Sequence, residues 1–289
     1  MSKKNDFFAL KRLLAFLAIV VLLTPAMTGC RKAEPVKLRI AADIKFFPLL
    51  EALKKELREN FPIDIQMETF EPGELLLREN LEIDLLLADY LLLLDTLDEK
   101  GAILEKIPFS YASPVIIFRK SDRFAFASPG KISKLSGKPP RVTFASRNNN
   151  TMQQLTRNML TRNNIVIDGD SPMVTFVPLI FPTNGDTVNA YRENRSVPSI
   201  MIAIQMLRDH ETDIIVAWDF VAKSVFADPQ IADQFAKSNW PPDDQSTIIL
   251  SFCIMKDCKN IATCQTLIDF LKSGKGRQIL QEQQFTLLP

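Results

Sequence analysis

A single histidine, His210, occurs in 289 residues, so any Ser-His or Cys-His nucleophile pair would have to use it. It lies in Arg208-Asp209-His210-Glu211-Thr212-Asp213, a polar stretch that reads as the exposed end of a helix and argues against catalysis. GxGxxG, P-loop, HExxH, GxSxG and EF-hand patterns are all missing, so an enzyme is the weaker class and no cofactor is expected. An excess of positive charge is missing too. Taking the four bases and one acid of residues 1–29 from totals of 35 and 34 leaves 31 against 33, which argues against a nucleic-acid partner. Glycine is sparse, nine residues, so the loops that contain it need it for backbone shape. Internal repeats and low-complexity tracts are absent.

Cysteine is also scarce. Beyond Cys30 there are three, Cys253, Cys258 and Cys264, and an odd number leaves at least one thiol free or paired with another chain. If Cys258 and Cys264 share the helix that begins there, six residues put their Cα atoms roughly 9 Å apart, too far for a disulfide. Cys253 lies in the apolar run Ile248–Met255 and reads as a small core residue. A metal site would need a fourth ligand and closer spacing, so none is expected.

What the chain does have is an N-terminal export pattern. Lys3, Lys4, Lys11 and Arg12 precede the apolar run Leu13–Leu23, which is short for a bilayer span, and small residues lead to Cys30. Met27-Thr28-Gly29-Cys30 resembles a bacterial lipobox. That resemblance implies a signal peptide over residues 1–29, a mature chain beginning at lipid-bearing Cys30, and a cell-envelope protein held to a membrane by its acyl chains. Arg31 is not the aspartate that retains many such proteins at the inner membrane, so which membrane carries the anchor stays open.

About 260 residues remain, enough for one large domain or two lobes. Strands are expected at Val36–Ala42, Ile63–Glu68 and Ile83–Ala88, with helices at Pro48–Glu59 and Leu75–Glu79 between them. Strand and helix alternating at these intervals indicate an α/β fold with parallel strands. Ligands in such sheets meet the carboxyl ends of strands, here Asp43, the turn Phe70–Glu74, and Asp89-Tyr90. A short helix Leu91–Leu97 and a hydrophobic strand Tyr111–Lys120 close one unit, and the turn residues of 124–140 mark a boundary. A second series follows: strand Arg141–Ala145, helix Thr151–Asn163, strand Met173–Leu179, helix Ser199–Arg208 and strand Ile214–Trp218. The last third reads as helix Val221–Phe235, strand Thr247–Met255, and helix Ile261–Leu280 broken at Gly274–Gly276.

Three stretches then carry a family resemblance. Ser110-Tyr111-Ala112-Ser113-Pro114-Val115-Ile116-Ile117-Phe118-Arg119-Lys120 resembles a hinge strand, and Glu211–Asp219 resembles the segment where the chain returns. The ending Met255–Asn260 and Leu267–Leu280 is the most specific of the three. Together they resemble the extracellular solute-binding proteins of ABC importers, nearest the molybdate-binding type. The resemblance implies a two-lobed periplasmic-binding-protein-like fold, each lobe a mostly parallel sheet flanked by helices. Lobe one would be 36–113 with 219–289, and lobe two 114–218. It also implies a monomer that traps a small molecule or ion by hinge closure and hands it to a permease and ATPase complex.

The ligand residues implied are Asp43, Glu71, Asn148, Asn149, Thr151, Trp218 and Asp219. Molybdate binders offer hydroxyls and backbone N–H groups, whereas this chain puts Asp43 and Glu71-Pro72-Gly73-Glu74 at the matching strand ends. A carboxylate facing an oxyanion in a closed cleft costs several kcal/mol, so a cationic or metal-bound solute is favoured over a bare oxyanion. Ser146–Thr151 either faces the ligand or caps its own helix, Trp218 walls the cleft or packs, and Asp219 meets a ligand amine or caps the next helix. Arg195 either neutralises an acidic ligand or is solvated. A noncatalytic sensory or interaction lipoprotein that kept the fold and lost the ligand is the alternative.

Overall fold

Apolar residues at alternate positions of Val36–Ala42 (β1) put Leu38, Ile40 and Ala42 on one face of a sheet and Ala41 on the other, and all four are buried. The computed structural model describes residues 34–70, 72–77, 81–121, 138–145, 150–162, 164–165, 174–178, 199–239 and 247–288. Helix α1 (Phe47–Asn60) follows β1, with Leu49, Leu50, Leu53 and Leu57 as its buried stripe. Next come β2 (Ile63–Thr69), α2 (Pro72–Leu77), β3 (Leu85–Ala88), α3 (Leu91–Glu99) and β4 (Ile103–Ala112). β1 runs parallel to β2 and β3, while the antiparallel strands β10 (Ile248–Met255), β4 and β11 (Thr286–Leu287) complete a six-stranded sheet in the order β11-β4-β10-β3-β1-β2.

The second sheet has the order β7-β6-β8-β5-β9. Its strands are β5 (Pro114–Arg119), β6 (Arg141–Phe144), β7 (Thr175–Phe176), β8 (Ile214–Trp218) and β9 (Phe235–Asn239). β6 is parallel to β7 and β8, and β5 is antiparallel to β8 and β9. Helices α4 (Asn150–Arg162), α5 (Ser199–Arg208), α6 (Asp219–Val225) and α7 (Pro229–Gln234) belong to this half of the chain order, and α8 (Ile261–Lys272) and α9 (Gly274–Glu282) follow β10. The α/β fold with two sheets and flanking helices is therefore present, each sheet combining a parallel half with an antiparallel half.

Five local departures from the sequence pattern are present. The strand expected over Tyr111–Lys120 is two strands in different sheets, divided at Ser113. The stretch from Ile103 was not expected as strand, because Leu104, Glu105 and Lys106 are exposed and Pro108 interrupts it. The ladder to β10 shifts register there, between Leu250 opposite Ser110 and Ser251 opposite Pro108, which accommodates the proline. The single helix expected over Val221–Phe235 is α6, a turn, and α7. The first ends at Val225 with Phe226 as its cap, and Asp228 starts the second, its carboxylate accepting from Gln230 N–H at 2.9 Å with Pro229 at the first helical position. Phe235–Asn239 then joins the second sheet, although it falls within 219–289, the stretch expected in lobe one.

The last departure concerns sulfur. Cys258 sits in the turn between β10 and α8, not on the helix with Cys264, and their Sγ atoms are 3.3 Å apart. The separation expected from a shared helix does not apply. Cys253 is fully buried in β10, as a core residue is, and burial pushes its thiol up to about 12.

Candidate functional site

Two neighbouring parallel strands end together, with Ala42 of β1 paired to Leu87 of β3, so the residues that follow them share one edge of the sheet. After β1, Asp43 caps a single tight turn, Ile44–Phe46, its Oδ1 accepting from Lys45 N–H at 3.1 Å. The turn brings the Lys45 side chain back over the sheet end. Its Nζ lies 2.9 Å from Asp43 Oδ2 and 2.8 Å from Asp89 Oδ1, with only 8% of the lysine side chain and none of the Asp89 side chain exposed. The ammonium also sits 5.2 Å from the centroid of the Tyr90 ring and 5.6 Å from that of Phe46, where a ring face attracts a cation. Burial by itself would lower the Lys45 pKa, but Asp43 and Asp89 outweigh it and raise the pKa above the ordinary lysine value.

The second sheet reaches the same place. Trp218, the last residue of β8, is buried and donates its indole N–H to Asp89 Oδ2. Thr151, in the first turn of α4, accepts the Leu91 N–H on its Oγ1 at 2.9 Å, satisfying the first amide of α3. Both bonds join a residue that follows β3 of the first sheet to the second half of the fold, Trp218 at the end of β8 and Thr151 on α4, the helix after β6. Phe46 and Phe220 stack at 5.5 Å, and Phe220 stacks in turn on Phe285 at 4.6 Å, packing apolar rings next to the ion cluster.

The chain crosses between the sheets beside this site, and the crossings are fastened to each other. Asp219 accepts the Ser113 N–H at 3.2 Å, the Asp219 N–H donates to Ser113 carbonyl at 2.9 Å, and the Ser113 and Thr247 hydroxyls are 2.8 Å apart. The other oxygen of Asp219 meets Thr286 Oγ1 at 3.4 Å and Lys223 Nζ at 3.6 Å.

Of the residues that sequence singled out, Asp43, Thr151 and Trp218 are brought together here, while Asp219 is engaged at the crossing. Glu71, Asn148, Asn149, Arg195 and Cys30 lie outside the described residues, as does the side chain of Glu74. Lys45 and Asp89 are not among the ligand residues that the sequence implies. Asp89-Tyr90 marks a strand end, and the signal for Lys45 lies in Asp43-Ile44-Lys45, a capping aspartate directly after a strand. His210 is exposed, with φ 58° after the end of α5, and its carbonyl accepts from Arg141, so its role here is to end a helix. Among the described residues, no group of three or more His, Cys, Asp or Glu is arranged to hold a metal ion, and no helix is long and apolar enough to cross a membrane.

The arrangement is similar to known folds. The substrate-binding domain assigned to a molybdenum ABC transporter of Clostridium difficile superposes with a TM-score of 0.61 at 13% identity, covering 88% of this chain and 99% of that one. Iron-bound HitA from Pseudomonas aeruginosa gives 0.56 at 12%, covering 86% and 84%. The periplasmic molybdate-binding protein of Azotobacter vinelandii gives 0.54 at 14%, covering 87% and 100%. At these identities the likeness is one of fold. No curated protein matches the chain. The family profile described as bacterial extracellular solute-binding protein matches residues 38–286, and the chain belongs to that noncatalytic family.

Proposed function

We propose that the protein is the lipid-anchored solute-binding component of an ABC importer, capturing a small solute between the two sheets by hinge closure. The observation that carries this reading is the meeting of Asp43, Lys45, Asp89 and Tyr90 from the first sheet with Trp218 and Thr151 from the second. Ligand contacts to both halves favour a closed form, and a permease distinguishes closed from open. In this reading 36–113 and most of 219–289 form one lobe, 114–218 with strand β9 forms the other, and Ser113 and Asp219 hold the hinge. Met27–Cys30 supports anchoring by lipid on Cys30.

The pocket chemistry is altered from that of molybdate binders. Two carboxylates, Asp43 and Asp89, flank one ammonium at this strand end, an acidic setting that opposes a bare dianion and favours a solute bearing a positive group. Asp43 contributes through the pair with Lys45 and not as a free charge.

A thermal-shift screen of oxyanions, divalent metals, amino acids and polyamines tests the reading. A bound solute at a hundred times its Kd adds about 2.7 kcal/mol to native stability. Hits among cationic solutes are expected, and a response confined to molybdate or tungstate would remove the altered pocket. A second reading, a sensory or interaction lipoprotein without a ligand, is favoured by the direct Trp218–Asp89 and Leu91–Thr151 bonds between the halves. Silence across the whole panel would select it.

A further inference from the structure

The sulfur pair lies at the other end of the first sheet from the ion cluster. Ile254 of β10 faces Leu85, the first residue of β3, whereas Asp89 follows the last residue of that strand. Cys258 is reached three residues after β10 ends, and its N–H donates to Met255 carbonyl at 3.1 Å. Cys264 lies in the first turns of α8, its N–H donating to Asn260 carbonyl at 3.0 Å. Between them the Lys259 N–H donates to buried Asp84 at 3.3 Å, and the other oxygen of Asp84 accepts the Arg39 N–H at 2.8 Å. Backbone on both sides of the pair is thus held in place while the sulfurs face each other at 3.3 Å. A disulfide needs about 2.05 Å, so bond formation asks the sulfurs to approach by a little over 1 Å.

The family acts outside the cytoplasm, where disulfides form and persist. We propose that Cys258 and Cys264 are joined by a disulfide in the exported protein, with Cys253 left as the free thiol. The oxidant is a disulfide-bearing thiol oxidase of the cell envelope. Cys258 attacks one sulfur of the oxidant and expels its partner thiolate. Cys264 then attacks Cys258 Sγ and releases the second, so that the chain loses two electrons and two protons and the oxidant leaves as a dithiol. The exchange belongs to folding, before α8 packs. Once folded, Cys264 is fully buried and Cys258 is 9% exposed, and burial raises both thiol pKa values and suppresses the reactive thiolate. The closed loop ties the end of β10 to the start of α8.

Tryptic mapping of the full chain, expressed with its own leader, extracted from the envelope and alkylated under denaturing conditions without reduction, tests this. Cleavage after Lys256, Lys259 and Lys272 puts the two cysteines on separate peptides, Asp257–Lys259 and Asn260–Lys272, with Cys253 on Ser238–Lys256. The expected result is the first two peptides linked and Cys253 alkylated. Reduction should lower Tm by about 5 °C, and a Cys258→Ser/Cys264→Ser chain should show no response to reductant. Recovery of Asn260–Lys272 with Cys264 alkylated, or linkage through Cys253, would overturn the proposal.

Discussion

Lys45 Nζ lies 2.8 Å from Asp89 Oδ1 in a site where neither side chain is more than 8% exposed. Each charge compensates the other's loss of water, and removing one leaves the other buried with less compensation. A Lys45→Met protein should therefore lose about 3–5 kcal/mol in a denaturant titration at pH 7. Adding Asp89→Asn should recover part of that loss, a coupling that independent sites would not give. Because folded Lys45 titrates above its unfolded value of about 10.4, its contribution is complete below that pH and is lost only as pH rises through the folded pKa.

Trp218 meets the same aspartate from the second sheet. Trp218→Phe keeps most of the apolar ring but deletes the indole N–H and with it the bond to Asp89 Oδ2. A hydrogen bond to a charged group is worth about 1.5–3 kcal/mol, and the variant should be destabilised by that amount in the same titration. Loss of less than about 0.5 kcal/mol would mean that the bond between the halves contributes nothing.

A different ion network contributes to acid stability. Burial raises the Asp213 pKa, but hydrogen bonds and charge from Arg141, with the charge of Arg119, more than offset it and hold the carboxyl below its ordinary value. A depressed pKa stabilises the fold above the unfolded value of about 3.9, and that stabilisation is lost as pH falls through the folded value. Melting curves should show wild type more stable than Asp213→Asn at pH 6, with the difference shrinking as pH falls below about 4.

Two glycines that sequence treats alike should behave differently. A Cβ on Gly276 would lie 2.1 Å from Phe270 carbonyl oxygen and 2.6 Å from Leu271 Cα, both backbone atoms where α9 packs on α8. A Cβ on Gly274 meets nothing within 4 Å. Gly276→Ala should cost more than about 2 kcal/mol, while Gly274→Ala should stay within about 0.5 kcal/mol of wild type, both read by denaturant unfolding.

Period-2 and period-3.6 patterns made β1, α1, β2, α5, β8 and β10 legible, because each has one strongly apolar face or is apolar throughout. β4 is hidden by its exposed Leu104–Lys106 stretch and Pro108, and β9 by following directly on α7, whose C-cap Phe235 is also the first residue of the strand. Strand ends located Asp43 and Asp89-Tyr90. Pairing was not legible, since no spacing rule says that the turn after Asp43 folds Lys45 back between two carboxylates. The cysteine separation depended on where α8 begins, and three residues moved a pair from out of reach to 3.3 Å.

The chain has two tryptophans, so a Trp240→Phe protein reports on Trp218 alone. Titrating its emission with the solute panel tests whether a solute is captured where Trp218 meets Asp89. A saturable change in Trp218 emission is expected with at least one cationic solute, one that also raises Tm. Emission and Tm unmoved by every solute, or moved only by molybdate and tungstate, would contradict it.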